Sequence, residues 1–306
     1  RSRRPLGSFR PREPPNESRV RRSNAAGCSP RGENGDRASF AAALGPDDLA
    51  PEVDSILNVQ IFMKLQHLLK TTQAIALMTD TPKETAPDSV LTDVTSALAD
   101  RIGGVPVRGD LTRPDDVEAV FAATIDAFGG LDVCVANAGW YPSDDSAIWD
   151  MDLDRWKETV DRNLTIAFLT ARAFLRHAAA TGAGSLVFIG STAGIFGEAG
   201  HADYAAAKAA LSSGFLLSVK NEAARIGDAV RVNTVAPGWT VTPKRAEAGL
   251  DPSHVERATA TMARKQLATP EDVAAQVIVL ASDRMSQHQT GQVVSVAGGM
   301  EGRVVP

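Results

Sequence analysis

Four polar residues, Asn163, Ser191, Tyr204 and Lys208, have the types and spacing that proton transfer requires. Tyr204 and Lys208 stand in YAAAK, inside the alanine-rich run HADYAAAKAALSSGFLLSVKNEAARIG, which reads as one helix by propensity. Positions i and i+4 share a helix face, so the ammonium is expected beside the phenol. A phenol of unperturbed pKa about 10 is a poor base at neutral pH. A neighbouring cation is expected to favour the phenolate and bring it toward the working range of a general acid/base. Ser191 lies thirteen residues before Tyr204, after an apolar strand-like run, SLVFIG. Its hydroxyl is therefore expected at a strand's carboxyl end, where it can hydrogen-bond a substrate carbonyl. Asn163, in VDRNL, reads by itself as a helix residue that relieves a kink by bonding backbone.

Two further strings, NAG at Asn137, Ala138 and Gly139 and the Pro237-Gly238 pair in VRVNTVAPGWTVT, fall in order around these four. With these five elements, Tyr204 and Lys208 counting as one, the chain resembles the short-chain dehydrogenase/reductase family over roughly residues 74 to 300, ending in TGQVVSVAGG. Within that family it is similar to 3-oxoacyl-carrier-protein reductase-like and hydroxysteroid dehydrogenase-like members. The resemblance implies an α/β fold: a single Rossmann-like, doubly wound parallel sheet with helices on both faces. It also implies an NAD(P)-dependent oxidoreductase acting on a small alcohol or ketone.

In that reading Tyr204 is the general acid in reduction and the general base in oxidation, and Ser191 polarises the carbonyl oxygen. Lys208 holds the nicotinamide ribose hydroxyls and lowers the tyrosine pKa, and Asn163 anchors a water in a proton relay to Lys208. Asn137 and Ala138 line the adenine ribose, and Gly139 keeps a side chain out of the nucleotide. Pro237, Gly238, Thr240 and Thr242 contact the nicotinamide amide and the phosphates. Asp110, closing GVPVRGD, reaches the adenine amino group, although LTRPDD just after it equally suits a turn or helix cap. Asp80, closing AIALMTD, takes the 2′-hydroxyl of adenosine if that run is the second strand, which tips the choice between NAD and NADP toward NAD. Trp140, Tyr141, Trp149, Trp156, Glu198, His201 and Trp239 border the expected cleft, His201 as a solvated loop residue. Family members pair the helices at 155–180 and 203–226, so a homodimer or homotetramer is expected.

The family's glycine-rich turn, Thr-Gly-x-x-x-Gly-x-Gly, occurs nowhere in the 306 residues. Such a turn lets a pyrophosphate approach the backbone at a helix N-terminus. AGCSPRGENG has glycines at the wrong spacing, and FAAALGPDDLAPEV would set Asp47 and Asp48 against the phosphates. The first βα unit is therefore expected to be degenerate or missing. A second function class follows from this, a non-catalytic or cofactor-impaired relative.

Around the site, apolar runs alternate with amphipathic helices, the pattern of a parallel sheet covered on both faces. AIALMTD, GVPVRGD, LDVCVANAG, GSLVFIGS, AVRVNTVAPG and GQVVSVAGG read as strands. Helix starts are expected at Pro114-Asp115 and Pro270-Glu271. Residues 1 to 37 carry ten arginines against four acidic residues, a net +6 that leaves −11 for the rest of a chain of formal charge −5. This arm has too few apolar residues to offset the entropy of ordering and reads as disordered, with 38–306 forming the domain. The body has no aromatic-interleaved basic patch, which argues against nucleic-acid binding. No run approaches the roughly 20 apolar residues of a membrane span, and no hydrophobic signal-peptide core opens the chain. The two cysteines, Cys28 and Cys134, form neither a disulfide framework nor a metal cluster, as expected of a reducing cytoplasm.

Overall fold

Five runs rich in β-branched and apolar residues pair in parallel in a computed structural model that describes residues 75–78, 103–241 and 249–303. The strands are β1 (Ile75–Met78), β2 (Val133–Ala136), β3 (Ala183–Ile189), β4 (Ala229–Pro237) and β5 (Val293–Val296), ordered along the sheet as along the chain. The expected basic arm, the two glycine-containing remnants with Asp47 and Asp48, Asp80 and Thr242 lie outside the described residues.

Alternation along the strands sends side chains to two separate cores. Cys134 and Ala136 of β2, Leu186 and Phe188 of β3, and Val230 and Val232 of β4 pack with α1 (Pro114–Phe128), α3 (Ile166–Thr181) and α6 (Gly214–Ile226). Val133, Val135, Val187, Ile189 and Val235 point the other way and pack on α8 (Pro270–Ala281), which follows α7 (Pro252–Thr259) in the chain. The chain is thus an α/β protein with a Rossmann-like parallel sheet covered on both faces. Both expected helix starts are found, with Pro114 and Pro270 in the first turn and a Thr269/Asp272 capping box ahead of α8.

Two expected elements are corrected. GVPVRGD is not a strand: residues 104–110 form no ladder, and β1 pairs directly with β2, Ile75 opposite Val133. Pro106 cannot donate to a ladder, and Gly104 and Gly109 weaken an extended run. The YAAAK run is not one helix but two, α5 (Ala202–Ala210) and α6, broken at Leu211 to Ser213. There the Ser213 hydroxyl bonds back to the Ala209 carbonyl at 2.7 Å and Gly214 follows, both of which loosen a helix. The Leu211 carbonyl freed by the break accepts from the Thr234 hydroxyl of β4.

The helix at 153–181 is continuous but carries one π turn. It runs as α2 (Leu153–Val160), the turn Asp161–Thr165, and α3. Such bulges recur at functional sites, and this one contains Asn163.

Candidate active site

The carboxyl end of β3 meets α5. Ser191 lies two residues beyond the strand, its Oγ accepting from the Ala193 N–H at 3.2 Å and hydrogen-bonding the Tyr204 phenol. Lys208, buried one turn along α5 from Tyr204, donates from Nζ to the Ile189 carbonyl at 3.1 Å and sits 5.7 Å from the Tyr204 ring centroid. This crossing requires Gly194 in α4 (Ala193–Phe196), because a Cβ there would stand 2.5 Å from the Ala209 nitrogen and the Lys208 carbonyl carbon. Asp203 anchors the start of α5. Fully buried, it accepts from the Thr159 hydroxyl at 2.7 Å and from Arg155 Nε at 3.1 Å, which ties α5 to α2. Burial alone would raise its pKa, but hydrogen bonds from Thr159, the Tyr204 backbone and Arg155 outweigh that and hold it below the ordinary carboxylate value.

The electrostatics differ from the expectation that Lys208 brings the phenol toward neutral pH. Burial pushes the Tyr204 phenol up to about 12, with the Glu198 charge adding to the rise and the Ser191 hydrogen bond opposing it. Burial also brings the Lys208 ammonium down to about 8. The cation lies beside the ring rather than at the hydroxyl, and removal of both groups from water outweighs their attraction. The phenol is therefore a firm proton holder at neutral pH.

Asn163 is fully buried, and both ends of its amide are used. Oδ1 accepts from the Trp140 N–H at 3.2 Å, while Nδ2 donates to the Trp140 and Thr159 carbonyls at 2.8 and 2.9 Å. The backbone-bonding reading is thus realised, and the two bonds to Trp140 fix the segment after β2 against the π turn. Gly139 borders this clamp. A Cβ there would meet Asn163 Oδ1 and Lys208 Nζ, each at 2.9 Å, so the glycine admits these two side chains, a requirement not foreseen from the motif.

Asn137 and Ala138 continue from β2 on the same segment, the Asn137 N–H bonding the Val135 carbonyl at 3.0 Å. Pro237 and Gly238 come to Ser191's neighbour: the Thr192 N–H donates to the Pro237 carbonyl at 2.9 Å, and a Cβ on Gly238 would lie 3.7 Å from Thr192 Cγ2. Thr240 turns its hydroxyl back to the Gly238 carbonyl at 3.1 Å. Asp110 realises the turn reading: its Oδ1 accepts from the Thr112 hydroxyl at 2.6 Å and the Thr112 N–H at 3.0 Å, directly before α1. Among the described residues, no group of three or more His, Cys, Asp or Glu is arranged to hold a metal ion, and no helix is long and apolar enough to cross a membrane.

His201 is not a solvated loop residue. It is 3% exposed and stacks under Tyr141, ring centroids 4.5 Å apart, while Tyr141 meets Tyr204 edge-on at 5.0 Å. The Tyr141 hydroxyl donates to Glu198 Oε1 at 2.8 Å. The H-x-x-Y spacing was the available signal for this cluster, with His201 standing at the N-cap of α5 three residues before Tyr204. The sequence set Tyr141, Glu198 and His201 at the border of the expected cleft, but nothing in it stacked Tyr141 on His201.

The family described as enoyl-(acyl carrier protein) reductase matches residues 78–301. The 3-oxoacyl-acyl-carrier-protein reductase of Vibrio cholerae is 37% identical over 194 residues, 62% of this chain and 75% of that protein. The cis-4-hydroxycyclohexanecarboxylate dehydrogenase of Sinomonas cyclohexanicum is 37% identical over 197 residues, 63% of this chain and 75% of that protein. The 3-oxoacyl-acyl-carrier-protein reductase of Synechocystis is 32% identical over 216 residues, 71% and 82% of the two chains.

Proposed function

This chain belongs to the short-chain dehydrogenase/reductase family of oxidoreductases, and we propose that it interconverts a small secondary alcohol and its ketone using NAD or NADP, with Tyr204 as the proton donor in reduction. The observation that carries this reading is the meeting of Ser191, Tyr204, Lys208 and Asn163 at the carboxyl end of β3, with Pro237 and Gly238 beside Thr192. The relatives' names support the carbon type, since a 3-oxoacyl group is a ketone and a hydroxycyclohexane is a secondary alcohol.

The residues present fit the nicotinamide-ribose end of the cofactor. Lys208 Nζ, a buried ammonium, lies 2.9 Å from where a Cβ on Gly139 would be, and the glycine itself is exposed. Lys208 would hold the ribose hydroxyls, and the Pro237 to Thr240 turn would take the amide. Asp80, on which a preference for NAD would rest, lies outside the described residues, so the reading covers both cofactors.

A bound nicotinamide dinucleotide supplies the hydride in reduction and accepts it in oxidation. Ser191 and Tyr204 orient the substrate oxygen between two hydroxyls, polarising the carbonyl. Tyr204, protonated at neutral pH, gives that oxygen its proton as the carbon is reduced. In oxidation the phenolate must form, and the Lys208 charge and the Ser191 hydrogen bond are the groups that stabilise it. Asn163 holds Trp140 and the turn that faces Lys208, which keeps the ammonium in place.

Tyr204→Phe removes the donor and little packing. The expected result is a loss of at least about 10²-fold in turnover with unchanged circular dichroism, because positioned acid catalysis contributes that much. Full carbonyl reduction by the variant would overturn the assignment. The cofactor-impaired alternative, raised by the missing glycine turn but not favoured by the relatives, is separated by titrating NADH and NADPH calorimetrically: binding supports the enzyme reading, and absence of binding supports the alternative. We further propose a homodimer or homotetramer working in the cytoplasm, the latter from the buried, free Cys134.

A further inference from the structure

We infer that Tyr141 and Glu198 form the specificity end of the site, accepting a hydrogen-bond-donating substituent of the substrate, a hydroxyl or an ammonium, and turning away a carboxylate. The inference rests on the hydride-transfer reading above and concerns which ketones enter it.

The wall is built rather than incidental. Tyr141 is 44% exposed, and one face of its ring lies on the buried His201 while its edge meets Tyr204 at 5.0 Å. His201 Nε2 is 3.0 Å from the Pro142 carbonyl, and Nδ1 is 3.3 Å from the Tyr141 hydroxyl and 3.5 Å from Asp145 Oδ1. Arg155 reaches over from α2 and donates to the Asp144 carbonyl at 2.6 Å and the Gly200 carbonyl at 3.2 Å. The Ser146 N–H donates to that same Gly200 carbonyl at 2.9 Å. Gly200, at φ +83°, leaves room for Asp145 where a Cβ would come within 3.0 Å of it. The segments at 141–146 and 198–201 are therefore fastened to each other on the Tyr204 side of the site.

This wall is negative. Its polar tip is a phenol already spending its proton on Glu198 Oε1, so what it offers an incoming group is acceptor capacity. Glu198 and Asp145 both flank it, and among the described residues neither forms an ion pair with a lysine or arginine. The nearby guanidinium of Arg155 is committed to Asp203 and two backbone carbonyls. The Glu198 charge is felt at Tyr204 itself, where it adds to the rise in the phenol pKa. A substrate carboxylate a ring's width from the reacting carbon would face like charge without a counter-ion, whereas a hydroxyl or ammonium would find acceptors.

The test uses three cyclohexanones that carry at C4 a hydroxymethyl, an aminomethyl or a carboxylate group, so that the substituent stands one ring from the carbonyl. Reduction kinetics and calorimetric binding are measured at pH 7 with the wild-type chain and with Glu198→Gln. In the wild type the carboxylate compound is expected to be at least about tenfold poorer than the other two, in kcat/KM and in Kd, as an uncompensated like charge implies. In Glu198→Gln, which removes the charge but keeps an oxygen to accept from Tyr141, the carboxylate-to-amine ratio should rise about tenfold by the same argument. Equal or better use of the carboxylate by the wild type overturns the inference without any variant. An unchanged ratio in Glu198→Gln, or binding of none of the three, also overturns it. If the compounds bind in the expected order but none is reduced, the inference stands and the hydride-transfer reading falls. If all are reduced equally well, the reverse holds.

Discussion

Tyr204 and Lys208 are one helical turn apart, yet the phenol is pushed up to about 12 and the ammonium brought down to about 8, because both leave water where α5 crosses the end of β3. Spacing in the sequence establishes that two groups are neighbours. It carries no information on how dry the place is, and here dryness decides the charge. A stability consequence follows for Lys208, whose ordinary pKa is 10.5. Below about 8 the lysine is charged in folded and unfolded chains alike, and the folded state bears the full burial penalty. Between about 8 and 10.5 only the unfolded chain binds the proton, so stability rises with pH across that window. Tyr204 acts in the opposite sense, but only above its ordinary value of 10, where the folded state keeps a proton that the unfolded one releases. Urea unfolding at pH 7.5 and at pH 10 should therefore show the wild type gaining about 2–3 kcal/mol relative to Lys208→Met, an amount set by the size of the pKa change. A difference between the two chains that stays flat with pH would show that the amine is not desolvated.

At the scale of elements, the parts that place the site were legible where local chemistry is strong. Pro114 and Pro270 announce helix starts, and the apolar runs of β3 and β4 are strands buried on both faces. The breaks were harder to read. Nothing in VDRNL separates a π turn from an ordinary one, because the extra residue is accommodated only when Asn163 finds the Trp140 backbone, a partner 23 positions away. The alanine run around YAAAK has high helix propensity throughout, and its break at Leu211 to Ser213 depends on the Thr234 hydroxyl of β4 donating to the Leu211 carbonyl. Long-range partners of this kind also make the requirement for Gly194 invisible in the sequence. With backbone atoms of α5 2.5 Å from its would-be Cβ, no side-chain rotation can relieve an alanine there. Gly194→Ala is expected to destabilise the fold by about 1–3 kcal/mol, the usual cost of overpacking. It should also lower turnover more than the same substitution at Gly130, where a Cβ meets nothing within 4 Å, because it pushes Lys208 away from Ile189. Equal unfolding midpoints and turnover for the two variants would mean that α4 and α5 can separate without consequence.

At the scale of the whole molecule, the layer of helices formed by α1, α3 and α6 covers one sheet face and still presents large apolar side chains outward. Phe168 on α3 is 44% exposed and Leu217 on α6 is 46% exposed, and the two helices pack side by side. Phe168 also has the Arg172 guanidinium 5.7 Å from its ring centroid, so an apolar patch here has a charged border. Among the described residues no further strand or helix covers Phe168 and Leu217. A two-fold axis across α3 and α6 would cover Phe168 and Leu217 with their own counterparts, since an isologous interface pairs the same patch on both subunits. The expected outcome is a dimer or tetramer by light scattering at micromolar concentration. Phe168→Glu combined with Leu217→Glu should shift it toward monomer, because like charges would then meet across the axis and lose water without a partner. Both positions are exposed in the single chain, so the double variant should unfold at a similar urea concentration once dilution has removed the contribution of association. A wild-type chain that scatters as a monomer, or a double variant that keeps the wild-type mass, would place the association surface elsewhere.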